Sequence, residues 1–293
     1  MSEYKIITDS TSDLSQEMVD ELGVDVIPMT FNIGNDSYID YPDDRDITPH
    51  DFYTRIANGE LSTTIQISPM TFSETFENYL KAGTDVLYLG FSSGLSGTYN
   101  NSVMVAKELS EKYPDRKMLT VDTRSASLGE GLLVWDTVQE QRKGASIEDL
   151  RDWAEKNSVR MYHWFTVNDL NHLKRGGRLS ATAALMGTML GIKPVLQVDG
   201  NGKLGVVDKI RGRKQALDDL VKLMEKTQVN AENKMIFISH TDYLDGAEYV
   251  RDRVAEKFAT AQIRIGDMGP VIGAHTGVGT VALFYLGTEK EHD

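Results

Sequence analysis

Residues 85–100, DVLYLGFSSGLSGTYN, decide the fold class of this chain. The apolar run over 86–91 predicts a buried strand, the serines and glycines after it predict a turn, and a helix is predicted from Thr98. A strand that leads directly into a helix is typical of parallel α/β sheets. Because the first N–H groups of a helix lack backbone partners and the helix dipole is positive there, we expect this turn to bind an anion.

The first half of the chain alternates between the two kinds of element in the same way. Strands are predicted over 4–8, 24–33, 86–91 and 117–122, and helices over 15–22, 49–58, 71–81, 98–112, 132–143 and 147–157. This alternation predicts a parallel, Rossmann-like sheet with helices on both faces. Ligands of such sheets bind at the carboxyl ends of the strands, so we expect residues 9–11, 92–93 and 122–123 to gather there.

The second half has a different pattern. It predicts strands over 161–167, 192–198, 204–210, 234–240 and 262–265, helices over 182–190, 213–226 and 247–258, and a closing segment over 277–286. The turn sequence DGNG at 199–202 predicts a hairpin between two of these strands. We therefore expect an α/β protein of two domains, a parallel-sheet domain over 1–158 and a mixed-sheet domain over 159–293.

Composition limits the classes of function. The chain of 293 residues has a net charge of −13, which argues against a nucleic-acid partner and for at most transient membrane contact. It has no cysteine, which excludes disulfides, thiol nucleophiles and cysteine-ligated zinc, and a reducing cytoplasm is the expected location. The six histidines show no i, i+4 pairing, so no metal site is predicted.

Basic residues are nevertheless concentrated in one part of the sequence. Between positions 174 and 214 stand Lys174, Arg175, Arg178, Lys203, Lys209, Arg211, Arg213 and Lys214. They predict a positive face for an anionic ligand or partner, although a solvated mixed surface would have the same composition. The apolar, methionine-containing stretch over 181–196 is typical of plain core and also of an adaptable apolar tunnel.

Three polar side chains are candidates for the site. Ser93 lies in the serine-rich turn, Thr64 precedes a predicted helix, and His275 lies in a glycine-rich loop over 266–279. A Ser/His/Asp triad is disfavoured because the turn is not a G-x-S-x-G elbow. The basic loop KRGGR at 174–178 lacks the spacing of a Walker A motif.

Seven motifs in one order make the chain resemble the bacterial DegV family. They are DSTSDL at 9–14, SSGLSGTY at 92–99, VDT at 121–123, LKRGGRLS at 173–180, IKPVL at 192–196, RGRK at 211–214 and GPVIGAHTG at 269–277. The resemblance implies a long-chain fatty acid held in a tunnel between the domains. It also implies a separate, ATP-dependent fatty acid kinase subunit that converts the bound carboxylate to an acyl phosphate.

The resemblance also assigns roles to residues. The family's carboxylate-binding threonine, serine and histidine match Thr64, Ser93 and His275. The supporting loop residues are Ser92, Gly94, Ser96, Gly97 and Thr276, and the partner surface is Arg175, Arg178 and Arg211. Ile65, Ile67 and Val278 depart from the family pattern beside these positions. The implied protein needs no cofactor beyond the fatty acid, and it is not an enzyme, because the carboxylate itself attacks ATP on the partner.

Two other classes of function stay open from the sequence. The chain is alternatively an enzyme in its own right, either a phosphotransferase related to dihydroxyacetone kinases or an esterase that uses Ser93 and His275. It is alternatively a lipid sensor with no kinase partner.

Overall fold

The computed structural model describes residues 4–179 and 191–290. Its first half contains a parallel sheet of four strands in the order β2-β1-β6-β7. These strands are β1 (Tyr4–Asp9), β2 (Asp25–Ile27), β6 (Asp85–Gly90) and β7 (Met118–Asp122). The order and direction confirm the predicted Rossmann-like sheet, in which β6 is buried along its whole length.

The second half contains a mixed sheet of six strands in the order β10-β9-β8-β13-β11-β12. The strands are β8 (Met161–Thr166), β9 (Ile192–Val198), β10 (Leu204–Arg211), β11 (Met235–His240), β12 (Gln262–Asp267) and β13 (Val281–Leu286). Strands β9 and β10 form the predicted hairpin. Only the β11–β12 pair is parallel, which confirms the prediction of a mixed sheet.

A third, antiparallel sheet was not predicted. It has the order β4-β3-β5 and consists of β3 (Met29–Ile33), β4 (Asp36–Asp40) and β5 (Ser62–Ile65). The single strand predicted over 24–33 is wrong, because the chain divides at Pro28 into β2 and β3, which belong to different sheets. Proline has no N–H to donate to a ladder, so such a break is expected there.

Ten helices connect the strands in the described part of the chain. They are α1 (Gln16–Leu22), α2 (Pro49–Ala57), α3 (Pro69–Lys81), α4 (Thr98–Lys112), α5 (Leu128–Arg142), α6 (Ile147–Ser158), α7 (Asn171–Arg175), α8 (Arg213–Thr227), α9 (Leu244–Lys257) and α10 (Pro270–Thr276). Side-chain caps fix several starts: Thr48, Ser68 and Ser146 each accept a backbone N–H of the first turn. None of the described helices is both long and apolar enough to cross a bilayer.

Helix α5 packs between the two large sheets. It contacts β6 on the N-terminal side and β8, β11 and β13 on the C-terminal side. Its side chains belong to one hydrophobic core with residues of both halves, including Leu132, Phe165, Phe237 and Phe284. The predicted division at residue 158 falls between the end of α6 and the start of β8. The helix predicted over 182–190, with Ser180 before it, lies outside the described residues.

The close approach of α5 to β8 depends on a glycine. A Cβ atom at Gly129 would lie 2.2 Å from Nε2 of the buried His163 ring. We predict that Gly129→Ala lowers the free energy of unfolding by about 1–3 kcal/mol, as overpacking of a core does. Gly205→Ala is the control, because a Cβ there meets no atom within 4 Å. Urea denaturation measures both, and equal stabilities of the two variants would contradict this packing.

Candidate functional site

An apolar cavity lies at the junction of the two halves, and Ala126 and Ser127, just before α5, are among its lining residues. It contains about 840 Å³ of empty space, counted to its open mouth. Its apolar wall is formed by Met29, Phe91, Leu95, Ala126, Phe165, Leu173, Val198, Leu204, Met268, Val271, Ile272, Ala282 and Phe284. The wall takes residues from both predicted domains, so the cavity exists only when the two halves pack together.

One end of the cavity is polar. Thr64 on β5 and His275 on α10 meet there, with 3.1 Å between the threonine Oγ1 and Nε2 of the imidazole. The two residues are 211 positions apart, and they come from different halves of the chain. The structure thus brings together two of the three residues that the resemblance assigned to a carboxylate.

The other ring nitrogen of His275 faces backbone. A Cβ atom at Gly176 would lie 2.1 Å from Nδ1, so only glycine allows this approach. Nδ1 is buried and has no hydrogen-bond partner among the described residues. Burial, assisted by the positive charge of Arg178, lowers the pKa of His275 to about 4. At neutral pH the ring is therefore uncharged and carries one N–H.

Arg178 is the one residue with a permanent charge among the described residues that line the cavity. Its Nε donates to the carbonyl of Leu95 over 3.0 Å, and one terminal nitrogen donates to the carbonyl of Gly176. The guanidinium therefore joins the serine-rich turn to the loop after α7. The resemblance placed Arg178 on a partner surface, but the structure places it half-buried at the polar end of the cavity.

The serine-rich turn presents Ser96, and not Ser93, to the cavity. Ser93 is exposed, and its Oγ donates to Asp122 over 2.5 Å while its backbone N–H donates to the same carboxylate. Ser93 is not among the described residues that line the cavity. The turn curls back, with Ser96 N–H donating to the Ser92 carbonyl, and this reversal directs the later serine inward.

The other residues that the resemblance names in the turn contact neighbouring loops or the cavity. Ser92 Oγ donates to the Gly202 carbonyl over 2.7 Å, which attaches the turn to the β9–β10 hairpin. Glycine is required at Gly94, because a Cβ would lie 2.7 Å from that same carbonyl oxygen. Gly97 lies against Gln66, and Thr276 lines the cavity.

A buried carboxylate fixes the start of the turn. Asp9, at the end of β1, accepts hydrogen bonds from Tyr88 Oη over 2.6 Å and from the Phe91 N–H over 3.2 Å. Its other oxygen accepts from the Thr11 hydroxyl and N–H. All of these donors are protein groups, so Asp9 positions the turn and is not itself exposed to a ligand.

The polar end of the cavity opens into a surface groove. Thr64, Arg178 and His275 line both spaces, and the groove continues past His172, Arg175, Glu60 and Leu61. Arg175 therefore lies exposed at the mouth. Arg211 is also exposed, at the end of β10, but it lines neither the cavity nor the groove.

Three further polar residues in the wall were not predicted. Gln66, Ser127 and His163 line the cavity. His163 is held by Met161 O and the Ala126 N–H, and Ser127 donates to Asp13. Ser127 has a φ of 54°, a left-handed conformation that is costly for a residue with a side chain. No sequence motif marks these positions, because each reaches the cavity only through packing of the two halves.

The described hydrogen bonds of the site include no serine–histidine pair. Among the described residues, the His275 ring makes one hydrogen bond, which it shares with Thr64 Oγ1, and no serine reaches the ring. A triad needs a serine within hydrogen-bond distance of its base. In the described ranges, no three acidic or histidine side chains converge closely enough to hold a metal ion.

Comparison with known proteins agrees with this architecture. A family model described as "Uncharacterised protein, DegV family" matches residues 3–288. The chain belongs to the DegV family. A DegV domain-containing protein of Clostridium perfringens is 45% identical over 291 residues, which cover 99% of this chain and 100% of that protein.

Solved structures of DegV proteins have the same fold. A structure that describes fatty acid binding of a DegV family protein from Thermus thermophilus has a TM-score of 0.87 and 30% identity, and covers 98% of this chain and 100% of its own. A fatty acid binding DegV family protein from Streptococcus agalactiae has a TM-score of 0.84 and 28% identity over the same shares. These structures confirm the predicted two-domain α/β fold.

The low pKa of His275 leads to a prediction about its titration. We expect the His275 ring signals in an NMR titration to stay unchanged from pH 8 to pH 5.5, because burial keeps the ring neutral. Exposed His50, whose pKa is raised by its hydrogen bond to Asp242, is the internal control, and its ring signals should shift within this range. The contribution of neutral His275 to the free energy of unfolding is fully present above the unfolded-state pKa of about 6.5. This contribution is lost as the pH falls towards 4. A His275 midpoint at 6.5 or higher would contradict the burial.

Proposed function

We propose that this protein binds one long-chain fatty acid in the cavity, with the carboxylate at the polar end. The proposal rests on a contrast between two parts of one cavity. The wall is apolar, and it ends at the polar side chains of Thr64, His275 and Arg178. A fatty acid has the same division between tail and head group. The DegV structures from Thermus thermophilus and Streptococcus agalactiae, both described as fatty acid binding, support the assignment.

The tail supplies most of the binding free energy. A 16-carbon acid has about 14 methylenes, and at about 0.8 kcal/mol each their burial gives roughly 11 kcal/mol. Association costs about 4–15 kcal/mol in lost freedom, so the polar end has to contribute orientation and the remainder. A binding site of this kind requires an apolar wall more than it requires a strong ion pair.

The head-group site holds the carboxylate with two hydroxyls, one imidazole and a nearby guanidinium. Nε2 of the neutral His275 ring can donate to Thr64 Oγ1 over 3.1 Å, which leaves the threonine hydroxyl proton to donate to the carboxylate. Ser96 supplies the second hydroxyl in this proposal, in place of Ser93. Its Oγ now donates to Thr98 Oγ1 over 3.0 Å, and rotation about the Cβ–Oγ bond would direct the proton to the ligand. Arg178 supplies the positive charge.

In this proposal the protein is a carrier and not a catalyst. The groove at the polar end leaves the carboxylate accessible to a separate ATP-dependent kinase subunit, which would form the acyl phosphate. Arg175, at the mouth of the groove, and Arg211, in the same basic part of the sequence, would contact that partner. No fatty acid carboxylate needs an activating base, because it is already ionised at neutral pH.

The head-group assignment leads to a prediction for two serines and one threonine. We expect Thr64→Val and Ser96→Ala each to weaken fatty acid binding by about ten- to a hundred-fold, the loss for a hydrogen bond to a charged group. Ser93→Ala is the matched control and should bind as the wild type does, because its hydroxyl already bonds Asp122. Displacement of a fluorescent fatty acid measures all three. Weaker binding by Ser93→Ala with normal binding by Ser96→Ala would show that Ser93, and not Ser96, binds the carboxylate.

The partner surface leads to a separate prediction. Arg175→Ala and Arg211→Ala should keep the wild-type affinity for fatty acid and lower the rate of acyl-phosphate formation with a fatty acid kinase subunit by at least tenfold. Lys107→Ala removes an equal charge from an exposed position on α4 and should leave the rate unchanged. Lost lipid binding in Arg211→Ala would instead place that residue in the binding site. Turnover of ATP or of an ester by the isolated protein would favour the enzyme hypotheses.

A further inference from the structure

A second cleft lies at the junction of the two halves, and Gly269, the residue before α10, is among its lining residues. It contains about 770 Å³ of empty space, counted to its open mouth, and it shares no described lining residue with the fatty acid cavity. Four carboxylates line it: Asp13, Asp40, Asp44 and Asp267. None of the described residues that line it is basic. We call this space, which these four carboxylates line, the acidic cleft.

The carboxylates occupy two levels. Asp44 and Asp267 are exposed at the rim, whereas Asp40 lies at the floor with 7% of its surface exposed. Asp13 is held between Ser127 and the Gly269 N–H, which donates over 3.0 Å. Oδ2 of Asp40 is buried and has no hydrogen-bond partner in the described structure. A buried polar atom without a partner is costly, and it indicates a missing donor.

The groups that surround Asp40 do not supply that donor. Its other contacts are the Ser10 hydroxyl and the Val271 N–H. Asp9 and Asp44 add negative charge from β1 and from the loop after β4, and Tyr53 on α2 donates to Met268 O. The neighbouring imidazoles are already paired: His240 lies 3.5 Å from Asp267, and His50 lies 3.0 Å from Asp242.

The side chains that line the cleft favour an organic cation over a bare metal ion. No three of the described carboxylates converge closely enough to hold a bare metal ion. Apolar side chains separate the carboxylates, namely Leu14, Met18, Pro42, Pro49 and Ile265. This alternation of apolar surface and separated negative charges matches a chain of methylenes between ammonium groups. We infer that the acidic cleft binds a small aliphatic diamine or polyamine, with one ammonium group donating to Asp40 and another at the rim.

Proton release gives the binding a measurable signature. Burial raises the pKa of Asp40 to about 7, and burial with the charges of Asp267 and Asp43 raises the pKa of Asp44 to about 6. Both carboxyls are therefore partly protonated at pH 6.5. An ammonium group favours the ionised form, so binding should release protons to the buffer.

Isothermal titration calorimetry of the full chain with spermidine and with cadaverine tests the inference. At pH 6.5 we expect saturable binding, and the heat should differ between two buffers of different ionisation enthalpy. The double variant Asp44→Asn/Asp267→Asn should lose at least tenfold in affinity, and Asp40→Asn should lose the share of the proton release that comes from Asp40. The control Asp115→Asn/Glu111→Gln makes the same charge change at exposed positions elsewhere and should bind as the wild type does.

Two results would contradict the binding of an amine in the acidic cleft. Binding of Mg²⁺ but not of the amines would overturn the assigned ligand class. An affinity that is the same in the double variant and in the control would show nonspecific attraction to an acidic protein, and would also overturn the inference. Fatty acid binding is a separate measurement at a separate cavity, so its failure would leave this test unaffected.

Discussion

Packing of α5 between the two large sheets is the interaction on which the rest of the structure depends. Apolar side chains on this helix complete one hydrophobic core that contains residues of both halves. Burial of this kind is roughly proportional to the apolar area removed from water, so separation of the halves would expose a large apolar face. The cavity wall and the polar end both require that the halves stay together, since Thr64 and His275 come from different sides of the junction.

Glycines then determine how closely the polar groups approach. Gly176 allows backbone to lie against the His275 ring, and Gly94 allows the serine-rich turn to lie against the hairpin. Asp9 holds the other side of that turn through Tyr88 and Phe91. The hydroxyls, imidazole and guanidinium are thereby fixed before any ligand arrives, and such preorganisation reduces the entropy cost of binding.

Much of the fold could be predicted from the sequence, because hydrophobic period and turn chemistry are local signals. The helix over 98–112 has the predicted bounds, and the hairpin at 199–202 is where the DGNG turn indicates. The small antiparallel sheet could not be predicted as easily. Strands β3 and β4 form a local hairpin, but β5 pairs with β3 from a distant part of the sequence. Strand β5 also has an alternating, half-exposed pattern with few apolar residues.

The site was only partly accessible to sequence reasoning. Thr64 and His275, which the sequence analysis named as candidates, lie 3.1 Å apart, but the sequence alone does not show which serine of the turn points inward. That choice depends on Asp122, which takes the hydrogen bonds of Ser93, and on the reversal of the chain at Ser92. Arg178 likewise looks like a surface cation in the sequence, and only the tertiary contacts with Leu95 and Gly176 bring it to the cavity.

Native mass spectrometry of the purified protein, followed by denaturation and identification of any released small molecule, tests the central claim most directly. A fatty acid of 14 to 18 carbons should be present at about one molecule per chain, because the apolar wall retains the tail strongly. A protein that is empty and also fails to take up added oleate or palmitate would contradict fatty acid binding as its function.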